Sequence, residues 1–225
     1  MTDEADLSRS PGFRTELLRF VVEEGSSRLP GERELGLLEA YFGLVQHWGR
    51  AQNLTRHKDP RSHARESVGD AWLGLDAVEQ VVGIPGDFLD VGSGAGIPGV
   101  VAAVRWPAAS ATLVEPLQKR VSFLEEVAAR LPLPSVRVRM ARIEEVAEQS
   151  ELVLSRATVG VGKGYDALAA RVRPGGVLGL FVGPSLTRDA WVAEATRLGF
   201  ITAELLRSRG TRGGDARAIA VARRA

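Results

Sequence analysis

Residues 88–99, Phe-Leu-Asp-Val-Gly-Ser-Gly-Ala-Gly-Ile-Pro-Gly, constrain the fold of this chain more than any other stretch. They read as a short buried strand, a glycine turn and the start of a helix. Gly92, Gly94 and Gly96 can take backbone angles closed to other residues and let a ligand approach the main chain. Pro98 suits the first turn of a helix, where its missing N–H costs nothing. Such a loop at the carboxyl end of a parallel strand is where α/β sheets bind nucleotide-like ligands. The glycines alone do not discriminate among ligands, because Gly94-x-Gly96-x-x-Gly99 also fits the dinucleotide fingerprint.

Asp90 narrows the choice. It precedes the glycines, so its carboxylate is expected beside the ligand, where an anion suits a cation or a hydroxyl and repels a pyrophosphate. S-adenosylmethionine carries an ammonium, a sulfonium and no phosphate, and Asp90-x-Gly92-x-Gly94-x-Gly96 is the pattern that class I methyltransferases share. Glu115 ends the next expected strand, where it is placed to accept two ribose hydroxyls. A nicotinamide cofactor would use it equally well.

The rest of the chain supplies the frame. From residue 87 onward, strands (88–91, 110–114, 135–140, 151–154, 177–182) alternate with helices (97–105, 117–130, 142–148, 163–171, 187–198). This βαβ rhythm predicts an α/β fold with a mostly parallel, doubly wound, Rossmann-like sheet. The last two strands, near 201–207 and 216–222, have no helix between them and are expected to pair as an antiparallel hairpin. Ahead of the sheet, 13–24, 30–50 and 58–75 show helical spacing. The organisation expected is an N-terminal helical extension or cap over 1–80 and a methyltransferase domain over 81–225. The 225 residues contain no cysteine, which excludes disulfides and thiolate metal sites, and no apolar run of membrane-spanning length. The acidic N-terminus lacks a signal-peptide core, and cytoplasmic residence is the expectation. A net charge of +1 neither demands nor excludes nucleic acid. His47, His57 and His63 match no metal-ligand spacing and read as scattered, solvated side chains; no metal is expected.

The order of motifs is similar to that of the ribosomal RNA small-subunit methyltransferase G family, also called GidB. The resemblance rests on Asn53-Leu54-Thr55, the run from Asp90 to Gly99, Lys119-Arg120-Val121-x-Phe123-Leu124, Arg142-Ile143-Glu144-Glu145 and Ser155-Arg156-Ala157. It covers roughly residues 35–222. The resemblance implies methyl transfer from S-adenosylmethionine to N7 of a guanine in 16S ribosomal RNA, with the small-subunit RNA, or the 30S subunit or its precursor, as partner to a monomeric enzyme. It places cofactor contacts on Gly92, Ile97, Ile143, Glu144 and Arg156, beside the Asp90, Gly94, Gly96 and Glu115 read from the loop itself. Ile143 and Glu144 would meet the adenine, and Arg156 would reach the cofactor carboxylate or an RNA phosphate. Asn53, Thr55 and Asp70 are candidates for positioning the base. Lys119 and Arg120 are either structural or face RNA.

Three departures from the family pattern lie outside the cofactor loop. Gly49 stands where Asn usually follows Trp. Arg65-Glu66 stands for the usual Arg-His, with Asp70 a displaced candidate for the acid that follows. Val182 stands for the Lys that usually ends the fifth strand. They leave open a divergent paralogue with another substrate, or a cofactor-binding, ribosome-associated protein without turnover. An oxidoreductase would need a Tyr-x-x-x-Lys or His pair, and neither Tyr41 nor Tyr165 supplies one. Guanine N7 carries a lone pair and no proton, so no catalytic acid or base is assigned.

Overall fold

The computed structural model describes residues 12–49, 54, 59–156, 163–207 and 218–225. Its centre is a seven-stranded sheet in the order β3-β2-β1-β4-β5-β7-β6. The strands are β1 (Asp87–Val91), β2 (Ser110–Glu115), β3 (Val136–Met140), β4 (Ser150–Arg156), β5 (Val172–Val182), β6 (Phe200–Arg207) and β7 (Ala218–Arg224). The first five pair in parallel, while β7 lies antiparallel between β5 and β6, so β6 and β7 form the expected antiparallel pair. The helices are α1 (Phe13–Glu23), α2 (Glu32–Gly49), α3 (Pro60–His63), α4 (Asp70–Val82), α5 (Gly99–Arg105), α6 (Gln118–Arg130), α7 (Lys163–Ala169) and α8 (Arg188–Arg197).

Strand periodicity sorts the core. Phe88, Leu113, Leu152, Leu154 and Val177 point to one face, where they pack with α1, α2, α4, α5 and α6. Leu89, Val91, Val114, Val153 and Leu178 point to the other, against α7 and α8. Phe13, Leu17, Leu38, Tyr41 and Phe42 of the first two helices belong to the same buried cluster as the sheet residues. Asp90 interrupts this pattern, standing among apolar neighbours on the α5 face.

Four elements differ from expectation. The helix expected over 58–75 is α3, a π turn over Ala64–Gly69, and α4, running on to Val82. Asp59 caps it, accepting from the Ser62 amide at 2.9 Å. A π turn closes i→i+5 rings and lodges one extra residue without rotating the helical faces on either side. This is how Asp70, displaced in the sequence, comes to face the end of β4. The short helix expected over 142–148 is a single 3-10 turn, Ile143–Glu145, because the Glu145 carboxylate turns back to the Arg142 amide (2.8 Å) and closes it. The fifth strand begins at Val172 rather than 177. Pro174-Gly175-Gly176 lie inside it as an irregularity: the register with β4 jumps between Ser150 and Leu152. Gly175 takes φ +76° there, and a Cβ on Gly176 would lie 2.7 Å from the Glu151 carbonyl. The helix expected from 97 starts at Gly99.

Candidate functional site

The site is the carboxyl edge of β1, β2 and β4. Strand β1 ends at Val91, and the chain turns through Gly92, Gly94 and Gly96 at φ +71°, +59° and +91°. These are left-handed angles that side chains resist. The turn is tied down at each step. The amides of Gly92 and Ser93 donate to the Val114 carbonyl at 2.8 and 3.1 Å, and the Gly96 amide donates to the Ser93 carbonyl at 2.7 Å. The Ser93 hydroxyl donates to the Asp90 carbonyl at 2.8 Å. Glu115, buried at the end of β2, accepts from the Gly94 amide at 2.9 Å and from the Leu117 amide at 3.0 Å. Arg120 stands 3.7 Å from the same carboxylate. Glu115 thus braces the loop, a role its position alone did not indicate.

Asp90 is fully buried. One carboxylate oxygen accepts from the Gly99 amide at 3.0 Å, which anchors the start of α5. The other, Oδ1, is buried without a hydrogen-bond partner. Burial pushes this carboxyl up to about 7, opposed by the Ser93 hydroxyl, the Gly99 amide and Arg156, while the nearby Glu115 charge adds to the rise. A buried acceptor with a vacant lone pair is costly unless something pairs with it. An ammonium brought against the loop would do so, and the residues present therefore fit a cationic, phosphate-free ligand.

The remaining candidates distribute as follows. Ile97 is partly buried over the α5-side core, and Ile143 is partly buried over the opposite one. Glu144 and Lys119 are exposed, while Arg120 is half-buried beside Glu115. Leu117 and Met140, at the ends of β2 and β3, expose apolar surface on this edge. Arg156, expected at the mouth of the site, is held there by the π turn. It donates to the Glu66 and Ser67 carbonyls at 2.9 and 3.3 Å and pairs with Asp70 at 3.1 Å. Asp70 and Arg156 therefore form one unit. Asn53 and Thr55 lie outside the described residues. Of the departures, Gly49 ends α2 with open space where a Cβ would stand, Glu66 is exposed, and Val182 is half-buried at the end of β5. His63 is buried rather than solvated, stacked on Phe42 at 4.9 Å and flanked by Tyr41 at 6.0 Å, because α3 packs its imidazole into the aromatic contact between α1 and α2.

Sequence reasoning missed Tyr41. Its fully buried hydroxyl donates to the Ala95 carbonyl inside the glycine loop. Helical spacing with Leu38 and Val45 places it on the apolar face of α2, but that spacing carries no sign of a polar contact made 54 residues away. A cavity of about 230 Å³ between α4, β5 and β7 is lined by Asp70, Asp76, Phe181 and Ile219 and by no glycine-loop residue, and it adjoins the candidate site only at Asp70.

Comparison with known proteins agrees with this geometry. The chain matches the family model described as GidB, rRNA small subunit methyltransferase G, over residues 34–204. It is 32% identical over 193 residues to the ribosomal RNA small subunit methyltransferase G of Nitratidesulfovibrio vulgaris, covering 82% of this chain and 87% of the relative. It is 35% identical over 193 residues to that of Symbiobacterium thermophilum, covering 79% and 77%. The protein from Bordetella avium with the same name is 34% identical over 154 residues, 66% of this chain and 67% of that one. Among solved structures, the 1,6-didemethyltoxoflavin-N1-methyltransferase of Burkholderia thailandensis superposes with a TM-score of 0.58 at 17% identity, covering 88% of this chain and 92% of that one. A 16S rRNA (adenine(1408)-N(1))-methyltransferase from Catenulisporales acidiphilia superposes with a TM-score of 0.51 at 18% identity, covering 66% and 90%. At these identities the structural matches establish the class I methyltransferase fold.

Proposed function

This chain belongs to the ribosomal RNA small-subunit methyltransferase G family, and from that premise we propose that it methylates N7 of a guanine in 16S ribosomal RNA, using S-adenosylmethionine, as a cytoplasmic monomer acting on the 30S subunit or its precursor. The observation that carries the cofactor half of this reading is the orphaned Oδ1 of Asp90 beneath the glycine loop.

When bound, S-adenosylmethionine supplies an electrophilic methyl on a positively charged sulfur. Everything else falls to the chain's own residues. Asp90 would hold the ammonium from below the loop and Glu115 would serve the ribose. Ile143, with exposed Leu117 and Met140, would offer an apolar wall to the adenine, and Glu144 an acceptor for its amine. The Asp70–Arg156 unit borders the side on which a target base would enter, with Asn53 and Thr55 as further base-positioning candidates and Lys119 and Arg120 as candidate phosphate contacts. Guanine N7 attacks with its lone pair and has no proton to lose, so no general base is required. Catalysis would rest on alignment of nitrogen, methyl and sulfur, which contributes several kcal/mol, with the base displaced from its stack.

Incubating the protein with radiolabelled S-adenosylmethionine and 30S subunits from a strain lacking the gene tests this reading. The expected result is label in the RNA at a position cleaved by borohydride and aniline, the chemistry of N7-methylguanine. A second reading, a paralogue acting on another substrate, is favoured by Gly49, Glu66 and Val182, which remove an amide, an imidazole and an ammonium outside the cofactor loop. Cofactor binding without label in the RNA would establish that reading instead.

A further inference from the structure

We infer that Tyr41 is a positioning residue of the cofactor loop, so that the helices preceding the sheet are part of the cofactor site. The inference rests on the reading of the glycine loop as the S-adenosylmethionine site. Tyr41 lies in the middle of α2, and no part of it is exposed. Its ring packs against Phe123 of α6 at 6.4 Å between centroids and against His63 of α3 at 6.0 Å. His63 in turn stacks on Phe42 and tilts against Phe13. Apolar volume is what this core otherwise selects, and a phenylalanine would provide it. The tyrosine differs from its neighbours only by a hydroxyl, and that hydroxyl donates to the carbonyl of Ala95.

Ala95 sits between Gly94 and Gly96, the two loop residues in left-handed conformations at φ +59° and +91°. On the other side, Glu115 of β2 holds the Gly94 amide at 2.9 Å. The Gly94–Ala95 segment is therefore clamped from two directions, its leading N–H by a carboxylate of the sheet and its trailing C=O by a phenol of the N-terminal helices. Two glycines flanking one alanine give the segment wide conformational freedom, and the bonds from Glu115 and Tyr41, together with the Gly96 amide closed on the Ser93 carbonyl, restrict it. Burial drives the phenol far above its ordinary titration range, so it remains a donor at every working pH. Pre-organising a loop that must present its backbone to a ligand raises affinity by sparing the ordering that binding would otherwise require.

Tyr41→Phe in the full chain tests the inference, with Phe42→Leu as a control that disturbs the same core without touching the loop. Affinity for S-adenosylmethionine and for S-adenosylhomocysteine is measured by calorimetry well below the melting temperature of each variant. The expected result is a loss of about tenfold for both ligands in Tyr41→Phe, and a lowered melting temperature with unchanged affinity in Phe42→Leu. A Tyr41→Phe protein that binds within twofold of the parent overturns the inference, as does one that fails to fold, since the hydroxyl would then serve folding. If the parent chain binds neither ligand, the reading of the loop itself falls.

Discussion

At the scale of single residues, Asp90 makes the site sensitive to pH. Its native carboxyl titrates near 7 instead of 3.8. Between those values the native state holds a proton that the unfolded chain has released, so this group's contribution to stability is complete below about pH 4 and declines as pH rises to 7. A cation bound beside Asp90 favours the carboxylate and expels that proton. Affinity for S-adenosylmethionine is therefore expected to weaken as pH falls below 7, by up to about tenfold per unit. Calorimetry at pH 6.5 in two buffers of different ionisation enthalpy should register proton release, and Asp90→Asn should abolish it. Gly99 is a second such position, since a Cβ there would meet the Asp90 carboxylate at 2.4 Å and Leu113 at 2.5 Å. Gly99→Ala is expected to cost about 1–3 kcal/mol in denaturant unfolding and to weaken cofactor binding, because it displaces the α5 terminus from the acid that anchors it.

At the scale of elements, the informative junction is where α4 meets α5 at the opposite end of the sheet from the site. Arg105, almost wholly buried at the end of α5, pairs with Asp76 at 2.5 Å and Glu79 at 2.7 Å, and its guanidinium lies 4.6 Å over the Trp72 ring. Asp76 also accepts from the Ser26 hydroxyl and the Ser27 amide, which ties the loop after α1 to the same point. Removing one partner of a buried pair leaves the others charged and desolvated. Arg105→Met should therefore lower the unfolding free energy by about 3–5 kcal/mol, and in folded protein it should leave cofactor affinity unchanged. The helix read as one piece over 58–75 carries a π turn whose Glu66 and Ser67 carbonyls accept from Arg156, and Asp70, just past the turn, pairs with the same guanidinium. Asp70→Ala should release Arg156 at the mouth of the site, and a raised KM for RNA in folded protein, with a lowered unfolding free energy, is the expected reading.

For the molecule as a whole, the question is how the first two helices relate to the sheet. Phe13, Leu17, Phe20 and Val21 of α1 are buried in the core shared with α2 and α4. Each such side chain contributes roughly 1.5–3 kcal/mol of burial. Deleting residues 1–30 is therefore expected to lower stability by several kcal/mol, visible in thermal unfolding, and to weaken cofactor binding through Tyr41.

The sequence by itself determined the sheet, because strand and helix periods alternate locally and a hairpin without a crossover can only be antiparallel. It also marked the glycine loop proposed to hold the cofactor, because glycines behind an acid are contiguous in the chain and need no long-range contact to be recognised. Only the tertiary structure decided which groups hold that loop. The bonds from Tyr41 to Ala95 and from Glu115 to Gly94, and the pairing of Asp70 with Arg156, join residues 21 to 86 positions apart. No local period encodes such a separation; it exists only once the packing of helices on the sheet has brought the partners together.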